Sequence, residues 1–177
     1  MKKELAVHFV SMVVLFFLIA LFKQTFNLNV IWFFVGGVLG TFLPDVDHFI
    51  YIYYLAPQEL TSQRATTMLG RGNVWAALDL LTDTRYERSK LIFHTVVFQA
   101  VFTLLAFLVV TSSGSLLGKG LVLAFLLHFV VDQFIDLIKI ETLTNWFSSL
   151  NINLTKEKMT LFWVFNLIVV LLFGFLF

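Results

Sequence analysis

A helix of about 20 mostly apolar residues reaches across a bilayer core of about 30 Å, and most of this chain consists of runs near that length. Residues 5–22 form one, broken only by His8 and Ser11 and closed by Lys23. Residues 30–43 form another, which continues past Pro44 into the aromatic run 49–55. Residues 91–110, 121–140 and 160–177 are the remaining three. The first run follows Lys2 and Lys3 as a signal peptide would. It lacks a small-x-small cleavage site and is longer than a signal core, so it is expected to be a retained helix. Charged residues make up 13% of the chain, about half of what a soluble domain carries. The apolar content excludes disorder. The absence of cysteine excludes disulfide scaffolds, thiolate zinc sites and thiol catalysis. A net charge of +1 provides no field for nucleic acid, which is not expected as a partner. The expected fold is all-α: a polytopic membrane helix bundle forming a single domain over residues 1–177, with about five transmembrane helices and one interrupted at Pro44.

The basic residues orient such a bundle. With the N-terminus cytoplasmic, Lys2, Lys3, Arg64, Arg71, Arg85, Arg88, Lys90, Lys139, Lys156 and Lys158 fall inside, and only Lys23 and Lys119 fall outside. The C-terminus is then expected outside. Of the inside segments, 57–90 is expected to hold one short helix over Val74–Leu81. Segment 141–159, with Trp146, Phe147 and Leu150, is expected to lie on the inner interface.

All four histidines fall in or at the edge of apolar runs. At 1.5 Å per residue, His8, His94 and Asp136 lie about 6 Å below the inner helix ends, Asp132 about 12 Å and His128 about 18 Å. Asp45, Asp47 and His48 lie near the inner end of the second run. Four helices therefore present His or Asp to the same half of one bundle, although the histidines played no part in setting the orientation. His128, Asp132 and Asp136 stand at i, i+4 and i+8, on one helix face. Asp45 and His48 share a face if the helix passes through Pro44, where a backbone hydrogen bond is lost.

An ionised Asp near a helix centre costs about 2.5–3.5 kcal/mol on insertion scales. No Lys or Arg lies within the spans to offset these four. One divalent cation offsets two charges and a second offsets the rest. Mixed imidazole and carboxylate donors suit Zn²⁺, Mn²⁺ or Fe²⁺ better than Ca²⁺ or Cu⁺. Singly, His8 and His94 read as hydrogen-bonded interfacial side chains, and Asp132 with Asp136 also fits a proton relay; together they favour a shared cation site.

The element Leu43-Pro44-Asp45-Val46-Asp47-His48, with His8, His94 and the later His128-x-x-x-Asp132, resembles the membrane-bound metal-dependent hydrolases. These are LexA-regulated inner-membrane proteins of bacteria, grouped with zinc-dependent phospholipase C and P1 nuclease. The resemblance spans about residues 5–136 and rests on short motifs. Where the family has His-Arg-Gly-x-Thr-His-Ser, this chain has Ser89-Lys90-Leu91-Ile92-Phe93-His94-Thr95. The first His is absent, and the anion-binding charge falls to Arg88 or Lys90. The resemblance implies a bacterial-type inner (plasma) membrane and hydrolysis of a phosphoester, with a lipid-linked substrate suggested by a site opening at the interface. Two or more divalent ions, zinc first and manganese or iron next, would be held by His8, Asp45, Asp47, His48, His94, His128 and Asp132 and would lower the pKa of bound water. Asp47 and Asp136 are the carboxylates expected to take part in catalysis, Asp136 by orienting a ligand His. Arg88 and Lys90 are expected to bind substrate. Two other readings compete with the hydrolase. One is an ion- or proton-coupled transporter, since intramembrane His and Asp also mark such paths. The other is a metal-binding membrane protein without catalysis.

Overall fold

The computed structural model describes residues 2–24, 27–88, 90–150, 152 and 154–176. Ser89 of the stretch compared above lies outside them. The described residues form eight α-helices and no strand: α1 Lys2–Phe22, α2 Val30–Phe42, α3 Val46–Ile50, α4 Leu60–Gly70, α5 Val74–Asp83, α6 Val96–Ser112, α7 Leu116–Lys139 and α8 Lys156–Leu176. Four helical stretches are long and apolar enough to cross a membrane: Lys3–Phe22, Val30–Leu55, Leu116–Lys139 and Lys156–Leu176. Helix α6 is apolar but shorter.

Val30–Leu55 changes character along its length. After α2 it tightens into a 3-10 turn, Leu43–Asp45, that admits Pro44 in its first positions. It then resumes as α3 and ends in a π-helical turn, Tyr51–Leu55. Backbone angles stay in the right-handed helical region around the proline.

Helix α7 is the axis of the bundle. From Gly120 to Asp136 nearly all of its side chains are buried, whereas α1, α2, α6 and α8 each turn an apolar face outward. Its contact with α2 is glycine-built. A Cβ on Gly36 would lie 2.0 Å from the carbonyl oxygen of Leu117, one on Gly40 2.1 Å from that of Leu121, and one on Gly120 2.0 Å from that of Phe33. The small-xxx-small spacing thus serves packing within the bundle. Phe16 stacks on Phe33, centroids 4.0 Å apart, and Phe102 on Phe125 at 4.2 Å. Buried amides dock α6 and α8 on α7: Gln133 Nε2 donates to Gln99 Oε1 at 2.8 Å, and Asn166 Nδ2 to Gln133 Oε1 at 3.1 Å.

Three local expectations change. Segment 57–90 holds two helices, α4 and α5, because Gly72 at φ +74° supplies a tight turn between them. Trp146 and Phe147 turn inward, tucked into the core by the 3-10 turn Thr144–Leu150, whereas Leu150 is exposed. The third apolar run starts its helix at Val96 rather than at 91, since the N–H groups of residues 92–94 are taken by Asp47. Thr95 then caps α6, its Oγ1 accepting from Phe98 N–H.

Candidate metal centre

The polar end of the bundle is where α1, α6 and α8 begin and α7 ends. His8 sits in the second turn of α1, His94 just ahead of α6, and His128 and Asp132 one turn apart on α7. His48 lies in α3. The structure brings His8, His94 and His128 around one carboxylate, that of Asp132. Nε2 of His8 is 3.3 Å from Asp132 Oδ1; Nε2 of His94 and of His128 are 3.1 and 3.5 Å from Asp132 Oδ2. His8, His128 and Asp132 are buried and offer three donor atoms within 4.8 Å of one another, a group that could hold a metal ion.

The outer nitrogens of these rings fix their tautomers. His8 Nδ1 donates to the Glu4 carbonyl at 2.8 Å, one turn back on its own helix. His128 Nδ1 donates to the Thr41 carbonyl at 2.8 Å. That carbonyl sits where the Pro44 turn shifts helical bonding to the third preceding residue. His94 Nδ1 faces Asp47 Oδ2 at 3.2 Å. In the neutral imidazole one nitrogen donates and the other accepts, so each Nε2 presents a lone pair to a carboxylate that also has only lone pairs. None of the three Nε2 atoms has a hydrogen-bond partner. A cation between them would relieve this arrangement. Protonating the rings is one answer, but the His8 and His128 centroids are 4.2 Å apart, and two charges there repel by about 4 kcal/mol at an effective dielectric of about 20. A divalent ion held by His8, His128 and Asp132 would avoid that repulsion.

The remaining acids are placed differently from one another. Asp47 is fully buried and sits one step back. Its Oδ1 accepts from Ile92 N–H at 3.0 Å, and its Oδ2 from Phe93 N–H at 2.6 Å, His94 N–H at 3.2 Å and the His94 ring. With its lone pairs so occupied, it is placed to orient His94 rather than to ligate or to accept a proton. Asp45 stands on the other side: its Oδ1 is 3.6 Å from His128 Nε2 and 3.9 Å from His48 Nε2. The His48 ring stacks on His94 at 5.0 Å. Asp136 accepts from Trp146 Nε1 at 2.9 Å and pairs with Arg85.

Arg85 carries the largest departure from the sequence reading. It lies outside every apolar run, yet it folds back into the cluster. Its Nη2 is 3.0 Å from Asp132 Oδ1, its Nε 2.7 Å from Asp136 Oδ1, and its Nη1 3.4 Å from Glu4 Oε2. Burial disfavours its charge, but Asp132 and Asp136 together raise its pKa further above the usual range. The acids of α7 are thus partly balanced by a cation from the connecting segment. In the sequence it stood only among the basic residues of the inside segments. Glu4, which also pairs with Lys139, and Trp146 had no signal beyond their residue type.

Arg88 behaves otherwise. It is 3% exposed, its Nη2 donates to the Leu81 carbonyl, and its Nη1 donates to Thr84 Oγ1 at 3.3 Å. Its Nε has no partner, and among the described residues it makes no ion pair. Burial, then the neighbouring Arg85, lowers its pKa to about 10. Lys90, expected beside it, is exposed and does not line the cavity. That cavity has a volume of about 460 Å³. Glu4, His8, Asp45, His48, Asp132, Arg85 and Arg88 form its polar side. Its other walls are apolar except for Thr82 and come from α1, α2, α3 and α5, including Phe42, Phe49, Trp75 and Leu78. No protein-family model, curated protein or solved structure matches this chain.

Proposed function

We propose that this protein is a membrane-embedded, metal-dependent hydrolase that cleaves a phosphoester at the cytoplasmic face of a bilayer. The observation that carries the reading is the set of three buried Nε2 lone pairs, those of His8, His94 and His128, facing the Asp132 carboxylate with their Nδ1 atoms committed elsewhere. Three imidazoles and one carboxylate suit Zn²⁺ first, then Mn²⁺ or Fe²⁺. Asp45 and His48 offer donors for a second ion. When bound, such ions supply a hydroxide near neutral pH and a Lewis acid for the phosphoryl oxygens. The chain's own residues do the rest. Asp47 fixes the tautomer and ring plane of His94. Arg85 holds Asp132 and Asp136 against their mutual repulsion. Arg88 faces the cavity, where a guanidinium matches a phosphate.

The membrane placement follows the distribution of Lys and Arg, with α6, at about the lower limit for a span, as a fifth crossing. The N-terminus then lies in the cytoplasm and the C-terminus outside, in a membrane of the bacterial inner type that the family resemblance implies. A through-path for transport is disfavoured by the glycine seam. A Cβ on Gly40 would lie 2.1 Å from the Leu121 carbonyl oxygen, so no path runs along this seam beyond His128.

Elemental analysis of the purified protein beside His128→Ala and Asp132→Asn tests the centre. Stoichiometric metal is expected in the parent and is expected to be lost from both variants. Hydrolysis of chromogenic phosphodiesters and phosphomonoesters should stop on chelation and return on adding zinc. A metal-free parent, or variants that keep their full metal, would overturn the reading. Metal without any hydrolysis would leave a metal-binding protein that does no catalysis.

A further inference from the structure

We infer that the cavity beside the metal centre takes a membrane lipid phosphoester, with the phosphate on Arg88 and one hydrocarbon chain along the wall made by Phe42, Phe49, Trp75 and Leu78. As a statement about substrate it rests on the hydrolase reading; as a statement about binding it rests on the cavity alone.

The first observation is the uncompensated charge. Arg85 is paired with three carboxylates, whereas Arg88 is buried with an unpartnered Nε and no ion pair among the described residues. A buried charge is normally paired, and the open side of Arg88 is the cavity. An anion there supplies the missing partner. The second is the opposite wall. A nucleotide or sugar phosphate needs polar groups for its own hydroxyls and base edges, since leaving such groups unpaired on burial costs about 1–3 kcal/mol each. Beyond the cluster of charges the lining is apolar except for Thr82, with Leu5, Val46 and Leu81 among its walls. The cavity volume of about 460 Å³ is enough for a phosphate and a length of alkyl chain but not for a whole two-chain lipid. The rest of such a lipid stays in the bilayer.

The third observation is depth. His8 lies about 9 Å from the start of α1 and Asp132 about 10 Å from the end of α7, at 1.5 Å per residue. That is within the inner third of a hydrocarbon core of about 30 Å, just below the headgroup layer. Tyr53, Tyr54, Trp75 and Tyr86 are exposed at this end of the bundle, the residue types that gather at membrane–water interfaces. A ligand lying half in the headgroup layer and half in hydrocarbon meets the cavity at its own depth.

The test is equilibrium binding to the full-length protein in a neutral detergent, before and after chelation. The probes are dioctanoyl phosphatidate, dioctanoylglycerol and inorganic phosphate. Phosphatidate is expected to bind at least tenfold more tightly than either of the others, with or without metal. Arg88→Gln is expected to weaken phosphatidate at least tenfold and leave dioctanoylglycerol unchanged. Leu78→Asn, on the wall, is expected to weaken phosphatidate while metal content and thermal stability stay at parental values, which separates lost binding from lost fold. Equal binding of inorganic phosphate shows a soluble phosphoester site, and equal binding of dioctanoylglycerol shows that Arg88 plays no part; either sinks the proposal. If phosphatidate is selected but no ester is cleaved by the zinc-loaded protein, the lipid site stands and the hydrolase reading fails. Cleavage of soluble esters without phosphatidate selection gives the reverse.

Discussion

Helices α2 and α7 meet along two stretches built from opposite materials. Between Phe33 and Ala124 they touch through glycine, with carbonyl oxygens where side chains would be. One turn further along, at Thr41 and His128, the contact becomes a side-chain-to-carbonyl hydrogen bond. The space beyond it fills with imidazole and carboxylate. Exposed apolar residues flank both stretches, so solvation does not distinguish them. The distinction is how near the two backbones come. Where glycine lets them close, no side chain fits and nothing polar enters. Where the glycines stop and Pro44 tightens the helix, the backbones part and a ligand-sized volume opens. The seam acts as the fixed end of the site, setting the height at which His128 faces Asp45.

The comparison breaks most readily at the seam. Gly36→Val and Gly120→Val place side-chain atoms against carbonyl oxygens that cannot retreat without separating the helices. Overpacking typically costs about 1–3 kcal/mol and more where backbone is the obstacle. Both variants are expected to lose folded protein in detergent by thermal melt, and a parental melting temperature would show the seam to be looser than drawn. Asp47→Asn comes next. The amide cannot accept from three N–H groups and a ring at once, so a loss of about 2–4 kcal/mol in stability is expected from the buried donors left unpaired. A fall of about 10–100-fold in metal affinity should accompany it, read by competition with a chromogenic chelator. Unchanged affinity would mean that His94 needs no orienting partner. Trp146→Phe removes one donor from Asp136 while keeping the ring that packs on His94 and Phe129. A cost of about 1–2 kcal/mol is expected, with metal content retained. Smallest is Gly118→Ala, on α7 itself but facing only ordinary contacts at 3.5 Å or more. There the helix propensity of alanine should raise stability by up to about 1 kcal/mol. If Gly118→Ala melts as low as Gly36→Val, position on α7 and not backbone approach governs the seam.

Much of the site could be anticipated because helical geometry is local. His128, Asp132 and Asp136 share a face at fixed spacing, and the loop charges set the depth of His8 and His94 independently. The division of roles could not. Asp45 and Asp47 are two residues apart with the same side chain. The helix turns Asp45 toward His128 and Asp47 toward the N–H groups ahead of α6, so one faces the cavity and the other is enclosed. Arg85 was hidden for a related reason: a polar segment outside the spans has no periodicity that says whether it stays in water or folds back under the bundle.

The sequence by itself determined a helical chain with apolar runs of membrane length, and a set of His and Asp too costly to leave unpartnered among them, since burial cost and helical spacing are properties of residues and their order. Only the tertiary structure decided which lone pairs face one another, which acid is already satisfied, which arginine is neutralised and which is left open to a cavity. Those depend on distances of a few ångströms between segments far apart in the chain, and electrostatics and hydrogen bonding change sign or vanish over such distances.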